Sequence, residues 1–184
     1  MSLLVEHDCI DDPQVLFGAV GDVFADRAAC QVGQFESGLE MDADLGKLWL
    51  EGGGGGGNHE SYDLAMYFMA HKTSIDSFEK RVKKGYFFLM ADEISYTSTK
   101  KETITKIFGD TPQEDIPLAE TVAALKQKYE FYVIFPNQPG MSGYVGNTHN
   151  HAFWRDLCGQ NFILLDDTST IAQTIAVAIG LNEG

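Results

Sequence analysis

Cysteine, positive charge and long apolar runs are all scarce in this chain of 184 residues. Its three cysteines, Cys9, Cys30 and Cys158, show no CxxC spacing, so neither a disulfide framework nor a cysteine zinc site is expected. No apolar run approaches the roughly 20 residues that a membrane-spanning helix needs. The first residues also lack the cationic flank of a signal peptide. We therefore expect a cytoplasmic protein.

The charge balance is strongly acidic, with 27 acidic against 13 basic residues and a formal net charge of -14. A field of this sign repels phosphate backbones and anionic lipids, so neither nucleic acid nor a membrane is an expected partner. A hydrophobic content of 44% with 22% charged residues is ordinary for a globular protein. We expect a single domain over residues 1–184, and a protein as its partner.

Short apolar runs predict the strands. Residues 14–20 and 31–36 are separated by a link too short for a crossover helix, which predicts an antiparallel pair. Residues 85–91, GYFFLMA, are the most hydrophobic run and are apolar on both faces, as is typical of a central strand. Two further strands are predicted at residues 131–135 and 161–165.

Helical periodicity occupies the segments between these strands. The predicted helices cover residues 42–51, 58–72, 100–108, 118–129, 152–158 and 168–179. The first carries an apolar stripe that ends at Trp49, and Asn58 is the predicted cap of the second. Alternating strands and helices predict an α/β fold, a three-layer open and mostly parallel sheet with helices on both faces and one antiparallel edge strand.

In such a sheet, ligands bind beyond the carboxyl ends of the parallel strands. Tracing the chain through the predicted elements brings several polar side chains to this edge. They are Asp22, Asp26, Asn58, Glu60, Ser61, Asp92 and Glu93. Their hard oxygen atoms suit Mg²⁺ or Ca²⁺ better than zinc. The alternative is that they serve only as turn and cap residues, which are of the same types.

The order of elements resembles the von Willebrand factor type A domain, a Rossmann-like fold. The blocks that carry the resemblance are VLFGAVGDVFAD, QVGQFES, GGGGGGNHESYDLAMYFMA, GYFFLMADE and FWRDLCGQNFILLDD. The resemblance implies a divalent cation held at the top of the sheet by three parts. These parts are a DxSxS turn after the first strand, a threonine in a glycine-rich loop and an aspartate after the fourth strand.

The resemblance places Asp92 in the third of these roles, and the second falls on residues 57–61, which contain Asn58, Glu60 and Ser61 but no threonine. With Asp22, these residues form the candidate metal site. No DxSxS is present, which implies either a chain truncated at its N-terminus or a degenerate site. Residues 3–6 are a candidate substitute for the missing strand. The missing strand could also be supplied by a second copy of the chain, through strand exchange within a homo-oligomer.

These observations lead to a non-catalytic protein-binding module that uses the loops at the carboxyl edge of the sheet, with or without a bridging cation. The alternative is a metal-dependent hydrolase. In it, His149 and His151 of an extended loop, together with Asp92 or His59, hold a transition metal that activates water. A third hypothesis is phosphate binding by the six glycines at residues 52–57, which lack the GK[ST] of a phosphate-binding loop.

Overall fold

The computed structural model describes residue 10 and residues 13–52, 57–137 and 148–184. Predictions for residues 3–6 and for most of the glycine run lie outside the described residues. Within the described ranges the chain is a mixed α/β structure with seven α-helices. No described helix is both long enough and apolar enough to cross a membrane.

The elements follow one another along the chain without an internal repeat. The strands are β1 (Gly18–Val20), β2 (Cys30–Val32), β3 (His59–Glu60), β4 (Gly85–Met90), β5 (Ile94–Ser95), β6 (Ser98–Thr99), β7 (Ile116–Pro117), β8 (Tyr129–Pro136) and β9 (Phe162–Leu165). The helices are α1 (Glu40–Leu45), α2 (Tyr62–His71), α3 (Asp76–Arg81), α4 (Lys101–Phe108), α5 (Leu118–Lys128), α6 (Thr148–Cys158) and α7 (Ile171–Glu183).

Strands β1 and β2 form the predicted antiparallel pair, in which Gly18 lies opposite Val32. The helix predicted over residues 42–51 is shorter than expected, since α1 ends at Leu45 and has no buried residue. Trp49, predicted to end its apolar stripe, lies beyond the helix and is 55% exposed. Leu45 and Trp49 of the stripe are therefore exposed, and a short helix that buries no residue is only marginally stable.

The main sheet has three parallel strands in the order β4, β8, β9. Its central strand is β8, where Val133, Ile134 and Phe135 are fully buried. Strand β4, predicted to be central, lies at the edge and is paired only with β8 among the described strands. Periodicity alone shows that a run is apolar on both faces, but not how many neighbours pair with it.

One face of this sheet carries the hydrophobic core. Helices α2 and α5 pack together on it, and the core contains Met66, Leu125, Phe131 and Trp154. On β4, Phe87 and Leu89 belong to this core, whereas the alternate residues Tyr86 and Phe88 stack beside Tyr132. Alternation along a strand separates the two faces. Helix α7 lies on the same side of the sheet as Tyr86 and Phe88, as shown by the 2.7 Å hydrogen bond that Tyr86 donates to Glu183 at the end of α7.

Glycine and proline mark the ends of two helices as predicted, whereas the predicted cap residue of a third helix does not occupy the cap position. Helix α4 ends at Gly109 in the left-handed conformation, φ 76°, and α5 begins directly after Pro117. Asn58 is not the cap of α2, because residues 59 and 60 form β3 and Ser61 occupies the cap position. Pairing of β3 with β5 removes these residues from the helix.

Candidate functional site

The segment that follows the glycine run lies against the segment that follows β4. Strands β3 and β5 run parallel, with Glu60 opposite Ser95 and His59 opposite Ile94. Each strand has only two residues, so the pairing places the start of α2 beside the loop after β4. The chain direction inferred from the sequence predicted that the segment after the glycine run and the segment after β4 lie side by side. The pairing of β3 with β5 agrees with this prediction.

The turn after β1 is tied to the same place through Ser61. The Ser61 hydroxyl accepts a 2.9 Å hydrogen bond from the Val23 N–H, and the Ser61 N–H donates to the Gly21 carbonyl at 3.3 Å. Within the turn, the Asp22 N–H donates to Asp26 Oδ2 at 2.6 Å. Ser61 is fully buried, so this predicted ligand joins two elements by hydrogen bonds.

The loop after β4 is anchored from the core. The Tyr62 hydroxyl donates a 3.0 Å hydrogen bond to Asp92 Oδ1, and Trp154 Nε1 donates to the Glu93 carbonyl at 2.8 Å. The rings of Tyr62 and Trp154 meet edge to face with centroids 5.7 Å apart. Asp92 and Glu93 are therefore positioned by side chains of α2 and α6.

Tyr96 contacts both Asp22 and His59 at this site. Its hydroxyl donates a 3.1 Å hydrogen bond to Asp22 Oδ1, and its ring stacks on His59 and meets the edge of Phe24. Burial, followed by the bond to Asp22, raises the pKa of Tyr96 to about 12. The phenol therefore remains a donor at neutral pH.

Five carboxylates come together here, and we call them the acidic cluster: Asp22, Asp26, Glu60, Asp92 and Glu93. Burial first, and then repulsion from the other four, raises the pKa of Glu60 to about 7. None of the ion pairs between described residues includes Asp22, Asp26, Glu60 or Asp92. These four carboxylates thus gather negative charge that no ion pair between described residues balances.

Asp63 adds a further carboxylate behind the cluster, on the first turn of α2. It is almost fully buried, and burial is the main cause that raises its pKa to about 6. Asp22 repels it as well. Its place in the first turn of α2 also suits an anion, because the helix dipole favours negative charge there.

Two buried oxygen atoms at the β3–β5 pair have no hydrogen-bond partner among the described residues. They are Glu60 Oε2 and Ser95 Oγ, and Ser95 is 0% exposed. Paired residues of neighbouring strands have their side chains on the same side of the ladder. Buried polar atoms are nearly always satisfied, so a ligand, ion or water is expected to reach these two.

The predicted metal ligands do not all meet. Asp22, Glu60 and Asp92 contribute to the acidic cluster, but Asn58 is exposed and precedes β3. In the part of the chain that the structure describes, no three Asp, Glu, His or Cys side chains are arranged to hold a metal ion. A complete metal site would need ligands from the hydroxyls nearby, from water or from a partner.

The histidine pair of the hydrolase hypothesis is separated. His149 and His151 lie on α6 instead of an extended loop, and residues two apart on a helix point in different directions. His149 is exposed, whereas His151 is buried with its ring edge to face on Phe135. The expectation of an extended loop that brings both imidazoles to one metal is therefore wrong for this segment. His59 stacks on Tyr96 at the cluster.

Tyr62 and Ser95 also belong to the site, and neither was predicted from the sequence. Tyr62 carries a polar group at the start of a mostly apolar helix, a signal that could have suggested a buried hydroxyl in need of a partner. Ser95 gives no comparable signal, because only pairing with β3 places it opposite Glu60.

Comparison with known proteins adds no relative to this description. A scan against protein-family models, a search of curated proteins and a search of solved structures each found no match.

Proposed function

We propose that this chain is a non-catalytic protein-binding module whose acidic cluster binds a basic segment of a partner protein. The observation that carries the proposal is the charge of Asp22, Asp26, Glu60 and Asp92, which no ion pair between described residues balances, together with the raised pKa of Glu60. A lysine or arginine side chain placed among these carboxylates would relieve their repulsion. Charge-assisted hydrogen bonds of this kind are stronger than neutral ones.

The proposal includes a relationship to the von Willebrand factor type A domain. It is supported by the parallel order of β4, β8 and β9, and by the meeting of the turn after β1 with the loop after β4. A three-layer arrangement is part of this proposal. Its support is the division of β4 side chains between the core beneath α2 and the side that α7 approaches.

The test compares two triple variants of equal net charge. Asp26→Asn, Glu60→Gln and Asp92→Asn replace three of the five carboxylates of the cluster and keep an oxygen acceptor at each position. Asp42→Asn, Glu102→Gln and Glu114→Gln neutralise three exposed carboxylates elsewhere. Binding of a tri-arginine peptide is measured by calorimetry at near-physiological salt, where exposed charges more than about 8 Å apart are largely screened.

We expect the cluster variant to lose most of the peptide affinity and the remote variant to keep it. Equal losses in the two variants would show that net charge alone attracts the peptide, and the proposal would fail. Circular dichroism melts of both variants check that each remains folded.

A second candidate is a divalent cation, Mg²⁺ or Ca²⁺, held at the same cluster and bridging to a carboxylate of the partner. The buried Glu60 Oε2 and Ser95 Oγ favour it, because carboxylate and hydroxyl oxygens are hard ligands without another described partner. Asp22 and Asp92 would supply further oxygens, with the remaining positions filled by water or the partner.

A cation that binds only the folded chain raises its melting temperature. The melt is recorded with Mg²⁺, Mn²⁺ and Ca²⁺ for the unmodified chain, for Ser95→Ala and for the control Ser98→Ala. An increment that Ser95→Ala removes and Ser98→Ala retains supports the cation. No increment with any of the three ions would leave only direct binding of a basic side chain.

A further inference from the structure

Four large apolar side chains that lie close together in the sequence are exposed. They are Leu39, Leu45, Trp49 and Leu50, exposed by 84%, 48%, 55% and 81%, and we call them the apolar patch. Helix α1, which begins after Leu39 and ends at Leu45, buries none of its residues. Exposed apolar surface that is concentrated in one place is typical of a surface that binds another molecule.

The two halves of the patch lie beside the same strand, β2. The side-chain amide of Gln31 in β2 bonds twice to the backbone of Trp49, because its Nε2 donates to the carbonyl and its Oε1 accepts from the N–H, each at 2.9 Å. Just beyond β2, the Gln34 N–H donates to Asp44 Oδ2 of α1 at 3.4 Å. Helix α1 and the segment around Trp49 are therefore held in one region of the surface.

Carboxylates lie among the residues of the patch. Residues 36–51 contain five acidic side chains and a single lysine, Lys47, which pairs with Asp44 at 2.8 Å. The other four acidic side chains take part in no ion pair between described residues, and they are Glu36, Glu40, Asp42 and Glu51. Negative charge beside the patch attracts a positively charged partner.

Charge and backbone bonding also decide between the possible occupants. In a two-fold contact the patch of one chain meets the same patch of a second copy. Carboxylates would then face carboxylates, and like charges disfavour such a contact. An added strand needs free backbone groups, whereas both backbone groups of Trp49 are already bonded to Gln31. A helix makes its contacts through side chains alone and needs no free backbone group.

We propose that the apolar patch binds an amphipathic helix of a partner protein, with an apolar face bordered by lysine or arginine. The apolar face would cover Trp49 and Leu50, and the basic side chains would pair with carboxylates such as Glu40. Tryptophan is enriched among the residues that contribute most to binding. The partner would also give α1 the packing that a short helix needs. This inference uses none of the carboxylates of the acidic cluster and can hold if the proposed function fails.

The probe is the synthetic peptide AKKLAKKLAKKLAKKL, whose alanines and leucines repeat at helical spacing, added to the full chain. One control peptide, AEELAEELAEELAEEL, keeps the apolar face and reverses the charge. The other, AKKLAKPLAKKLAKKL, keeps the leucines and contains a proline that breaks the helix. Affinity is measured by calorimetry at near-physiological salt, and contact with the patch by the fluorescence of Trp49.

We expect the probe to bind and to shift the tryptophan emission to shorter wavelength, because Trp49 becomes covered. The acidic peptide should not bind, and the proline peptide should bind at least about tenfold more weakly, or 1.4 kcal/mol. Equal affinity for the proline peptide or the acidic peptide would overturn the proposal. The same conclusion would follow if the probe failed to bind, or bound without changing the emission.

Two matched pairs of variants locate the binding to the patch. Leu50→Ser is compared with Leu181→Ser on α7, because both leucines are 81% exposed. Glu40→Gln is compared with Glu102→Gln, since both carboxylates are exposed. Affinity for the probe should fall about tenfold in Leu50→Ser but not in Leu181→Ser, and should fall in Glu40→Gln more than in Glu102→Gln. Equal affinities within both pairs would overturn the proposal. Circular dichroism melts check that all four variants are folded.

Sedimentation at several concentrations tests the competing occupant. A chain that dimerises, loses the dimer in Leu50→Ser and does not bind the probe would show that a second copy covers the patch, and the proposal would be overturned. A monomer that binds the probe supports it.

Discussion

Tyr62 and Asp92 exchange two hydrogen bonds: the Tyr62 hydroxyl donates to Asp92 Oδ1 at 3.0 Å and accepts from the Asp92 N–H at 3.3 Å. This contact joins the first turn of α2 to the loop after β4. Burial, with the charge of Asp92 as the next cause, holds the pKa of the Tyr62 phenol far above its usual value. The hydroxyl therefore stays protonated and continues to donate.

Replacing Tyr62 by phenylalanine should destabilise the chain by about 1–3 kcal/mol, because the Asp92 groups lose a buried partner. Urea denaturation followed by circular dichroism measures this. The matched control is Tyr67→Phe. Tyr67 donates to Asp110, which also pairs with Lys72 near the surface, so the cost there should stay below about 1 kcal/mol. A larger loss in the control would contradict the anchoring role of Tyr62.

Glu60 should make the folded chain less stable as the pH rises. Its pKa is raised from 4.5 to about 7 in the folded chain, so between these values the folded state binds more protons than the unfolded one. Stability from this group is present below its ordinary pKa and is lost as the pH rises through about 7. The free energy of unfolding in urea, measured at about pH 5 and about pH 8, should fall over this window.

Glu60→Gln should remove much of that decrease, while Glu102→Gln, at an exposed position, should retain it. Asp63 acts in the same direction, since its pKa is raised to about 6. Asp63→Asn should therefore remove a further part of the decrease in the free energy of unfolding, over a pH range below that of Glu60. An unchanged pH dependence in Glu60→Gln would show that this carboxylate is not perturbed.

The two tryptophans should respond very differently to truncation. Trp154 is fully buried, so Trp154→Ala should cost about 3–5 kcal/mol in the free energy of unfolding. Trp49 is mostly exposed, and Trp49→Ala should change stability by no more than about 0.5 kcal/mol. Guanidinium titrations compare them. In Trp49→Ala the remaining fluorescence comes from Trp154 and should show the blue-shifted emission of a buried indole.

Val82 is a site at which glycine should stabilise the chain. It ends α3 in the left-handed conformation, φ 56° and ψ 29°, and its side chain is 86% exposed. Relief of the Cβ clash, about 1–2 kcal/mol, exceeds the entropy cost of glycine, so Val82→Gly should gain about 0.5–1 kcal/mol.

The control for this prediction is Val177→Gly, at an exposed position inside α7. There glycine should cost about 0.5–1 kcal/mol, because the backbone is already an ordinary helix. A melting temperature that changes in the same direction in both variants would contradict the strain at Val82.

Several elements could be predicted from local pattern alone. The stop at Gly109, the start of α5 after Pro117 and the antiparallel pairing of β1 with β2 depend on turn chemistry and link length, which are visible in the chain. The acidic edge was also predictable. Asp22, Glu60 and Asp92 follow elements whose directions could be traced, and direction places their ends together.

Other features could not be found in this way. Asn58 has the residue type of a helix cap, but pairing of β3 with β5 moves the start of α2 to Tyr62. The imidazoles of His149 and His151 separate because the segment that carries them is helical. The first outcome depends on a contact between segments distant along the chain, which local propensity does not contain. The second is a misplaced boundary, because the helix predicted from residue 152 begins at Thr148.

The amino-acid order was enough to establish where apolar faces and acidic turns occur, since periodicity and turn residues act over a few positions. The partners of those faces and turns were decided by packing. Folding put GYFFLM at the edge of the sheet beside a groove, placed Ser95 opposite Glu60, and buried Tyr62 against Asp92. Such pairings follow from non-local burial and backbone hydrogen bonding, which exist only once the chain is assembled.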